Sequence, residues 1–119
     1  MERKMWWGDS MSTRCNVVVK DNPFGKDREL WFYRHSDGYP SSVLPSLEPL
    51  MDKLRKGEVR DNISQFAGWI IVLGHEEYGS KQDYWKVGAY EPTFGLHGDV
   101  EYLYTIDLQK KTLTYEGFR

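Results

Sequence analysis

Two short His-x-Asp triplets carry the side chains of this sequence that are best suited to chemistry. His35 precedes Asp37 in "YRHSDGYP", and His97 precedes Asp99 in "HGDVEY". In an extended segment, residues i and i+2 point to the same side, so each triplet can present an imidazole and a carboxylate to one point. Convergence of the two triplets would create one polar site.

Two interpretations of the triplets remain open. Two histidines and two carboxylates are sufficient ligands for zinc or manganese, and Glu91 or Glu101 could then act as the general base of a metal-dependent hydrolase. Alternatively, Asp-Gly and Gly-Asp are ordinary turn pairs, in which the aspartate accepts backbone N–H bonds. We favour the second interpretation, and we expect no bound metal or cofactor.

Arg34 also has two interpretations. Its planar guanidinium could hold a phosphate or stack on a base, or it could form an ion pair with an acidic residue of the other corner. The ion pair is favoured, because acidic groups outnumber basic ones there; the candidate partners are Glu91, Asp99 and Glu101. Candidate ligand- or partner-binding residues are the polar and aromatic side chains of both corners: Arg34, His35, Asp37, Tyr39, Trp85, Tyr90, Glu91, His97, Asp99, Glu101 and Tyr102.

Composition limits the class of protein that can present these residues. A chain of 119 residues has room for one domain, and an aromatic share of 15% predicts an aromatic-rich core. The net charge of -2 disfavours direct binding to nucleic acid. Cys15 is the only cysteine, which excludes an internal disulfide and fits a reducing cytosol. The sequence contains no membrane-spanning run, so we expect a cytoplasmic protein.

The periodicity of the chain predicts the elements that position the two corners. We expect residues 1–10 to be an N-terminal extension, either mobile or packed through its tryptophans, and 11–119 to be one domain. Predicted strands lie at 14–20, 29–35, 84–90, 101–108 and 111–118. A helix is predicted from Val43 to a stop at Gly57, with a start made uncertain by Pro49, and a second at 63–78. The order ββααβββ indicates an α+β fold, with an antiparallel sheet of about five strands packed on two helices.

Several longer segments resemble a group of small, mostly uncharacterised proteins of bacteriophages, prophages and other mobile elements. The resemblance spans nearly everything from Ser12 to Leu108 and is carried by "STRCNVVVKD", "YRHSDGYP", "AGWIIVLG", "WKVGAYEPT" and, most specifically, "HGDVEYLYTIDL". Ser36 stands where a tryptophan is commoner. The resemblance implies a phage context and assigns no catalytic residues.

An aromatic, charge-balanced domain without a recognisable catalytic set predicts a non-enzymatic binding protein, and the resemblance implies an inhibitor of a bacterial defence system comparable to anti-CRISPR proteins. It would act in the cytoplasm of the bacterial host by occluding a host protein with its aromatic, polar surface. One alternative is a sponge for a nucleotide signal, in which Arg34, with Arg60 or Lys86, holds phosphates. The metal-dependent hydrolase is the other alternative, and a homo-oligomer is left open.

Overall fold

The computed structural model describes residues 13–78 and 87–118, which form an α+β fold in the predicted order ββααβββ. Five strands make one sheet, and two helices pack on one of its faces. The elements are β1 (Cys15–Asp21), β2 (Arg28–Arg34), α1 (Pro40–Arg55), α2 (Ile63–Tyr78), β3 (Glu91–Thr93), β4 (Tyr102–Asp107) and β5 (Thr112–Gly117). Neither helix combines the length and apolar composition needed to cross a membrane, within these residues.

The sheet has the strand order β3-β2-β1-β4-β5 and is mixed, not wholly antiparallel as predicted. Three neighbouring pairs are antiparallel, but β1 and β4 run parallel. The reason lies between β3 and β4, where the chain leaves one edge of the sheet and crosses to the far side of β1. The amide of Glu101 then bonds the carbonyl of Arg14, so β4 starts at the end where β1 starts.

Strand β1 is central, and its composition fits that position. Residues Cys15 to Val19 are all buried, because the helices cover one face and the crossing segment 94–100 approaches the other. Alternation places Cys15, Val17 and Val19 on the helix side, together with Phe32 of β2. Asn16 therefore lies on the opposite face, which we call the open face.

Helix α1 begins three residues before the predicted start. Pro40 occupies its first position, where the missing N–H costs no hydrogen bond, while Pro45 and Pro49 lie inside it. The apolar stripe predicted from the spacing is buried, which offsets the bonds that the prolines remove; it comprises Val43, Leu47, Leu50, Met51 and Leu54. Gly57 follows the helix with φ of 75°, as its predicted role in the stop requires.

Helix α2 matches its predicted bounds. The side chain of Asn62 accepts a bond from the amide of Gln65 at 3.1 Å and so caps the first turn. One face of the helix is buried through Ile63, Phe66, Ala67 and Ile70. The opposite face is partly exposed, since Trp69 and Val72 keep 46% and 43% of their surface accessible.

A close approach between the end of α2 and residues 88–90 replaces the strand predicted at 84–90. Residues 84–86 lie outside the described residues, and 87–90 form no strand; β3 begins only at Glu91. A Cβ on Gly88 would lie 2.5 Å from backbone atoms of Gly74 and His75. Only glycine permits this contact, which places Tyr90 in the core against α2. The prediction was wrong for residues 87–90, because Ala89 and Tyr90 pack against a helix rather than in the sheet.

Candidate functional site

The end of β2 divides the predicted site between the two faces of the sheet. Arg34 pairs with Cys15 in the register of β1 and β2, so its side chain lies on the helix side. Tyr33 pairs with Asn16 and lies on the open face. Since successive strand residues point in opposite directions, the corner contributes to two separate polar clusters.

On the open face, the two predicted corners meet around Tyr33. The ring of His97 stacks on the Tyr33 ring at a centroid distance of 4.1 Å and an angle of 15°. The Tyr33 hydroxyl lies 3.3 Å from Asp99 Oδ2 and 3.2 Å from His35 Nδ1. Arg14 Nε completes the group, 3.2 Å from Asp99 Oδ2 and 3.3 Å from His35 Nδ1. We call these five residues the Tyr33 cluster.

The hydrogen bonds of the Tyr33 cluster are shared. The tyrosine hydroxyl has one proton and two acceptors within reach, and Arg14 Nε–H faces the same two acceptors. Burial raises the pKa of Tyr33, and the neighbouring charge of Asp99 raises it further, so the phenol stays protonated at neutral pH. The cluster is thus a set of paired groups at a partly exposed surface.

Asn16 fixes the loop that brings His97 into the Tyr33 cluster. Its side chain is fully buried, and its Oδ1 accepts the backbone N–H of His97 at 2.8 Å while its Nδ2 donates to the carbonyl of Phe32 at 2.8 Å. The side chain of His97 is held as well, since Thr93 Oγ1 lies 2.7 Å from Nε2 of its imidazole ring. The crossing segment 94–100 is therefore hydrogen-bonded to two strands of the sheet, through Asn16 of β1 and Thr93 of β3.

This tied loop exposes two apolar side chains that sequence reasoning missed. Phe94 is fully exposed, at 106% relative accessibility, and Leu96 keeps 55% of its surface accessible. Both lie in the segment 94–100, just before His97, whose backbone N–H is bonded to Asn16. In the sequence, Phe94 and Leu96 are two apolar residues within the otherwise polar run "EPTFGLHGD". Such a pattern is common in loops, so it does not reveal that both side chains are exposed. Arg14 and Asn16 were missed as well, although their period-two spacing with Val18 is a visible signal for the open face.

On the helix side, Arg34 forms the ion pair that the sequence favoured, but with a different partner. Its guanidinium is 4% exposed and bonds both carboxylate oxygens of Glu77 on α2, at 3.1 and 2.7 Å. Glu91, Asp99 and Glu101 were the predicted partners, and that choice was wrong. Arg34 Nε also donates to the carbonyl of Ser36 at 2.9 Å. Nothing in the spacing of residues 34 and 77 could reveal this contact, because it depends on how α2 packs.

Tyr90 completes the buried Arg34 network instead of facing a ligand. Arg34 Cζ lies 5.1 Å from the centre of the Tyr90 ring, a cation–π contact. The Tyr90 hydroxyl donates to Ser46 Oγ at 2.8 Å, and Ser46 in turn donates to Glu77 at 3.0 Å. Burial alone would lower the pKa of Arg34, but the bond to Glu77 and nearby negative groups outweigh it, so its pKa is raised and its charge is permanent. Arg34 therefore has no free fork for a phosphate.

Asp37 does not join the Tyr33 cluster. It adopts a left-handed conformation with φ of 56°, and its carboxylate accepts a bond from the Tyr39 hydroxyl at 3.2 Å. The next residue, Gly38, lies so close to β1 that a Cβ would meet backbone atoms of residues 13–15 at 2.9 Å. This contact turns the chain into α1 and confirms the corner, while it separates Asp37 from His35.

The described residues contain no group of three or more His, Cys, Asp or Glu side chains arranged to hold a metal ion. The alternative ligand set of His35, Asp37, His97 and Asp99 is therefore not assembled. His97 is stacked and bonded to Thr93, and Asp37 is bonded to Tyr39.

The remaining predicted site residues are dispersed. Glu91 is exposed on the short edge strand β3, and Tyr102 is half-buried at the start of β4, where its ring lies 6.3 Å from that of Tyr104. Glu101 links strands through its backbone, since its carbonyl accepts the amide of Phe118 at 2.9 Å. Trp85 lies outside the described residues. The predicted site residues therefore include three members of the Tyr33 cluster, His35, His97 and Asp99, together with residues that do not reach it.

A comparison of the chain with protein-family models, with curated proteins and with solved structures finds no match in any of the three.

Proposed function

We propose that this protein is a small non-enzymatic binding protein that occludes a host protein through the segment 94–100 and the adjoining Tyr33 cluster. The observation that carries the proposal is Phe94, a fully exposed aromatic side chain on a loop whose backbone is tied to the sheet. Burying a phenylalanine contributes about 1.5–3 kcal/mol, and a loop that is already ordered loses little entropy on binding. Phe94 therefore has the properties of an interface anchor.

The Tyr33 cluster supplies polar groups next to this anchor. Arg14 and Asp99 keep 33% and 51% of their side chains accessible, and His35 is exposed. Energetic anchors in protein interfaces are commonly aromatic residues surrounded by polar groups that exclude water. Within the protein these groups already pair with each other, so they can contribute specificity without leaving unpaired charges when the interface closes.

The resemblance to small phage and mobile-element proteins extends the proposal to a biological role. The protein would inhibit a bacterial defence system in the cytoplasm of the host, and its target would be a defence protein. This role rests on the resemblance alone, while the binding surface rests on the geometry of the described residues.

The nucleotide sponge receives less support than the protein binder. Its central phosphate ligand, Arg34, is buried and bonded to Glu77 through both terminal nitrogens. Arg60 lies beside the start of α2, on a different part of the surface, and Lys86 is outside the described residues. A thermal-shift screen with cyclic oligonucleotides separates the two functions, since the protein binder should show no ligand-dependent shift.

The binding proposal is tested by replacing the exposed aromatic side chain of Phe94 with a charged one. Phe94→Asp should abolish protection of an infecting phage, measured as plating efficiency on a bacterial strain whose defence system the unchanged protein inhibits. The matched control is Phe24→Asp, because Phe24 is equally exposed, at 105%, in the turn between β1 and β2. Equal protection by both variants would contradict the proposed surface. Nucleotide or phosphodiester turnover by the purified protein, lost on chelation, would contradict a non-enzymatic function.

A further inference from the structure

The two edges of the sheet differ in how well they are protected from pairing. Strand β3 forms one edge with only three residues, one of which is Pro92, and such short, proline-containing edges resist strand addition. Strand β5 forms the other edge with six residues, "TLTYEG", and contains no proline. It is the longer and more accessible template for another strand.

The backbone of β5 shows which residues are ready to pair. The amide of Phe118 bonds the carbonyl of Glu101, so alternate residues of β5 turn their hydrogen-bonding groups towards β4. Leu113 and Tyr115 then turn theirs outward. No hydrogen bond to these outward groups is formed by any residue of 13–78 or 87–118. The edge therefore offers a row of unpaired donors and acceptors.

We propose that β5 pairs in antiparallel fashion with β5 of a second copy of this chain, about a two-fold axis that passes through Thr114. The result is a symmetric dimer with a continuous ten-stranded sheet. In such a dimer the axis is perpendicular to the sheet, so the helices of both copies lie on the same side.

The hydrogen-bonding pattern restricts the register of this pairing. Outward-facing residues of one copy must lie opposite outward-facing residues of the other, which excludes every register that pairs Leu113 or Tyr115 with Thr114. An axis through Thr114 places Leu113 opposite Tyr115 of the second copy, twice by symmetry. An axis through Tyr115 satisfies the same rule but leaves Leu113 opposite Gly117, which has no side chain to cover it.

Side-chain chemistry favours the axis through Thr114 and a second copy as the occupant. Tyr115 keeps 51% of its surface accessible, and pairing with Leu113 covers an aromatic ring with an aliphatic side chain on the helix side of the sheet. On the open face, Glu116 lies opposite Thr112 of the second copy. The two glutamates are then about 13 Å apart along the strands, so they do not repel strongly. The strand is thus complementary to itself.

This inference is independent of the proposed function, because β5 lies at the edge farthest from β3, while the Tyr33 cluster lies around the end of β2, the start of β1 and the loop after β3. Dimerisation leaves both Tyr33 clusters accessible and doubles the number of binding surfaces. Binding through Phe94 can fail while the dimer persists, and the reverse also holds.

Sedimentation velocity of the full chain over a range of concentrations measures the dimer directly. We expect a reversible monomer–dimer equilibrium. Tyr115→Pro should raise its dissociation constant more than tenfold, because the substitution removes an outward N–H from each copy and so two hydrogen bonds from the dimer. Since that N–H makes no bond to β4, circular dichroism and thermal unfolding should still show a folded protein. A wild-type chain that remains monomeric at every concentration would overturn the proposal. That holds even if another protein is found to pair with this edge.

Charge placement tests the register. Thr114→Lys and Thr114→Glu each place like charges opposite each other at the axis and should weaken the dimer about fivefold, whereas an equal mixture of the two variants should restore it as a mixed dimer. Thr112→Lys should strengthen the dimer, because the lysine faces Glu116. A stronger dimer for Thr114→Lys would indicate the axis through Tyr115 and refute the register; unchanged dimerisation in all variants would refute pairing through β5.

Discussion

Tyr33 and Arg34 are adjacent in sequence, yet they belong to opposite kinds of polar cluster. Arg34 is 4% exposed and bonded to Glu77 within the helix layer, whereas the Tyr33 cluster contains Asp99, whose side chain is 51% exposed. The same chemistry, a guanidinium beside a carboxylate, serves the core on one face and a surface on the other. The difference teaches that burial, rather than residue type, decides whether a polar group stabilises the fold or can meet a partner.

The largest effect should come from breaking the ion pair between the buried guanidinium of Arg34 and the carboxylate of Glu77, whose side chain is 35% exposed. Glu77→Ala leaves the Arg34 guanidinium buried without its carboxylate and should lower the free energy of unfolding by about 3 kcal/mol, measured by urea denaturation. The control is Glu76→Ala, which removes a neighbouring carboxylate that does not pair with Arg34 and should cost less than about 0.5 kcal/mol. A similar, small loss in both variants would show that the Arg34 network does not stabilise the fold.

The next largest effect should come from Asn16, the buried polar residue that supports the open face. Asn16→Ala removes the acceptor of the His97 amide and should cost about 2 kcal/mol, because a polar group is left unpaired. Hydrogen exchange at the His97 amide should accelerate by more than the loss of global stability explains, whereas amides in the core of α2 should accelerate only in line with that loss. Asn22→Ala is the matched control, since Asn22 bonds an exposed partner, Asp27. If exchange at His97 is unchanged, Asn16 does not hold the loop.

A smaller effect should come from the pH dependence of stability, through the buried thiol of Cys15 on the helix side of the sheet. Burial raises the pKa of Cys15 from 9.0 to about 12, and the charge of Arg34 offsets only part of this rise. The unfolded thiol loses its proton above pH 9 while the folded one keeps it, so stability is complete below pH 9 and declines as the pH rises towards 12. The slope from this group is about 1.4 kcal/mol per pH unit.

Urea midpoints at pH 8, 9 and 10 measure this slope, and Cys15→Ala provides the comparison. The variant should be less stable throughout but should lose less stability between pH 9 and 10, since the titrating thiol is gone. Tyr90, whose pKa burial raises to about 12, adds to the decline only above pH 10. Parallel curves for the two proteins would show that Cys15 is not the group responsible.

Local patterns in the sequence were sufficient for most of the fold. The spacing of Val43, Leu47 and Leu50 identified the buried stripe of α1, and Gly57 was placed correctly as its stop. Strands β4 and β5 fell within one residue of their predicted ends. These features follow from periodicity and capping, which act over a few residues.

The pairing of β1 with β4 could not be predicted in the same way. An antiparallel arrangement is the simplest solution for consecutive strands, but the chain between β3 and β4 crosses the open face and reverses that expectation. The contacts that fix the crossing, from Asn16 to His97 and from Tyr33 to His97, join residues more than sixty positions apart. Their formation depends on the packed sheet.

The sequence by itself determined most of the elements and the aromatic core, because alternation and turn chemistry are local. Only the tertiary structure decided which polar groups are buried. It directed Arg34 towards Glu77, removed Asp37 from the cluster, and left Phe94 exposed on a tied loop. The physical reason is that the free energy of a polar or aromatic side chain depends on its surroundings, and those surroundings exist only after distant segments have packed together.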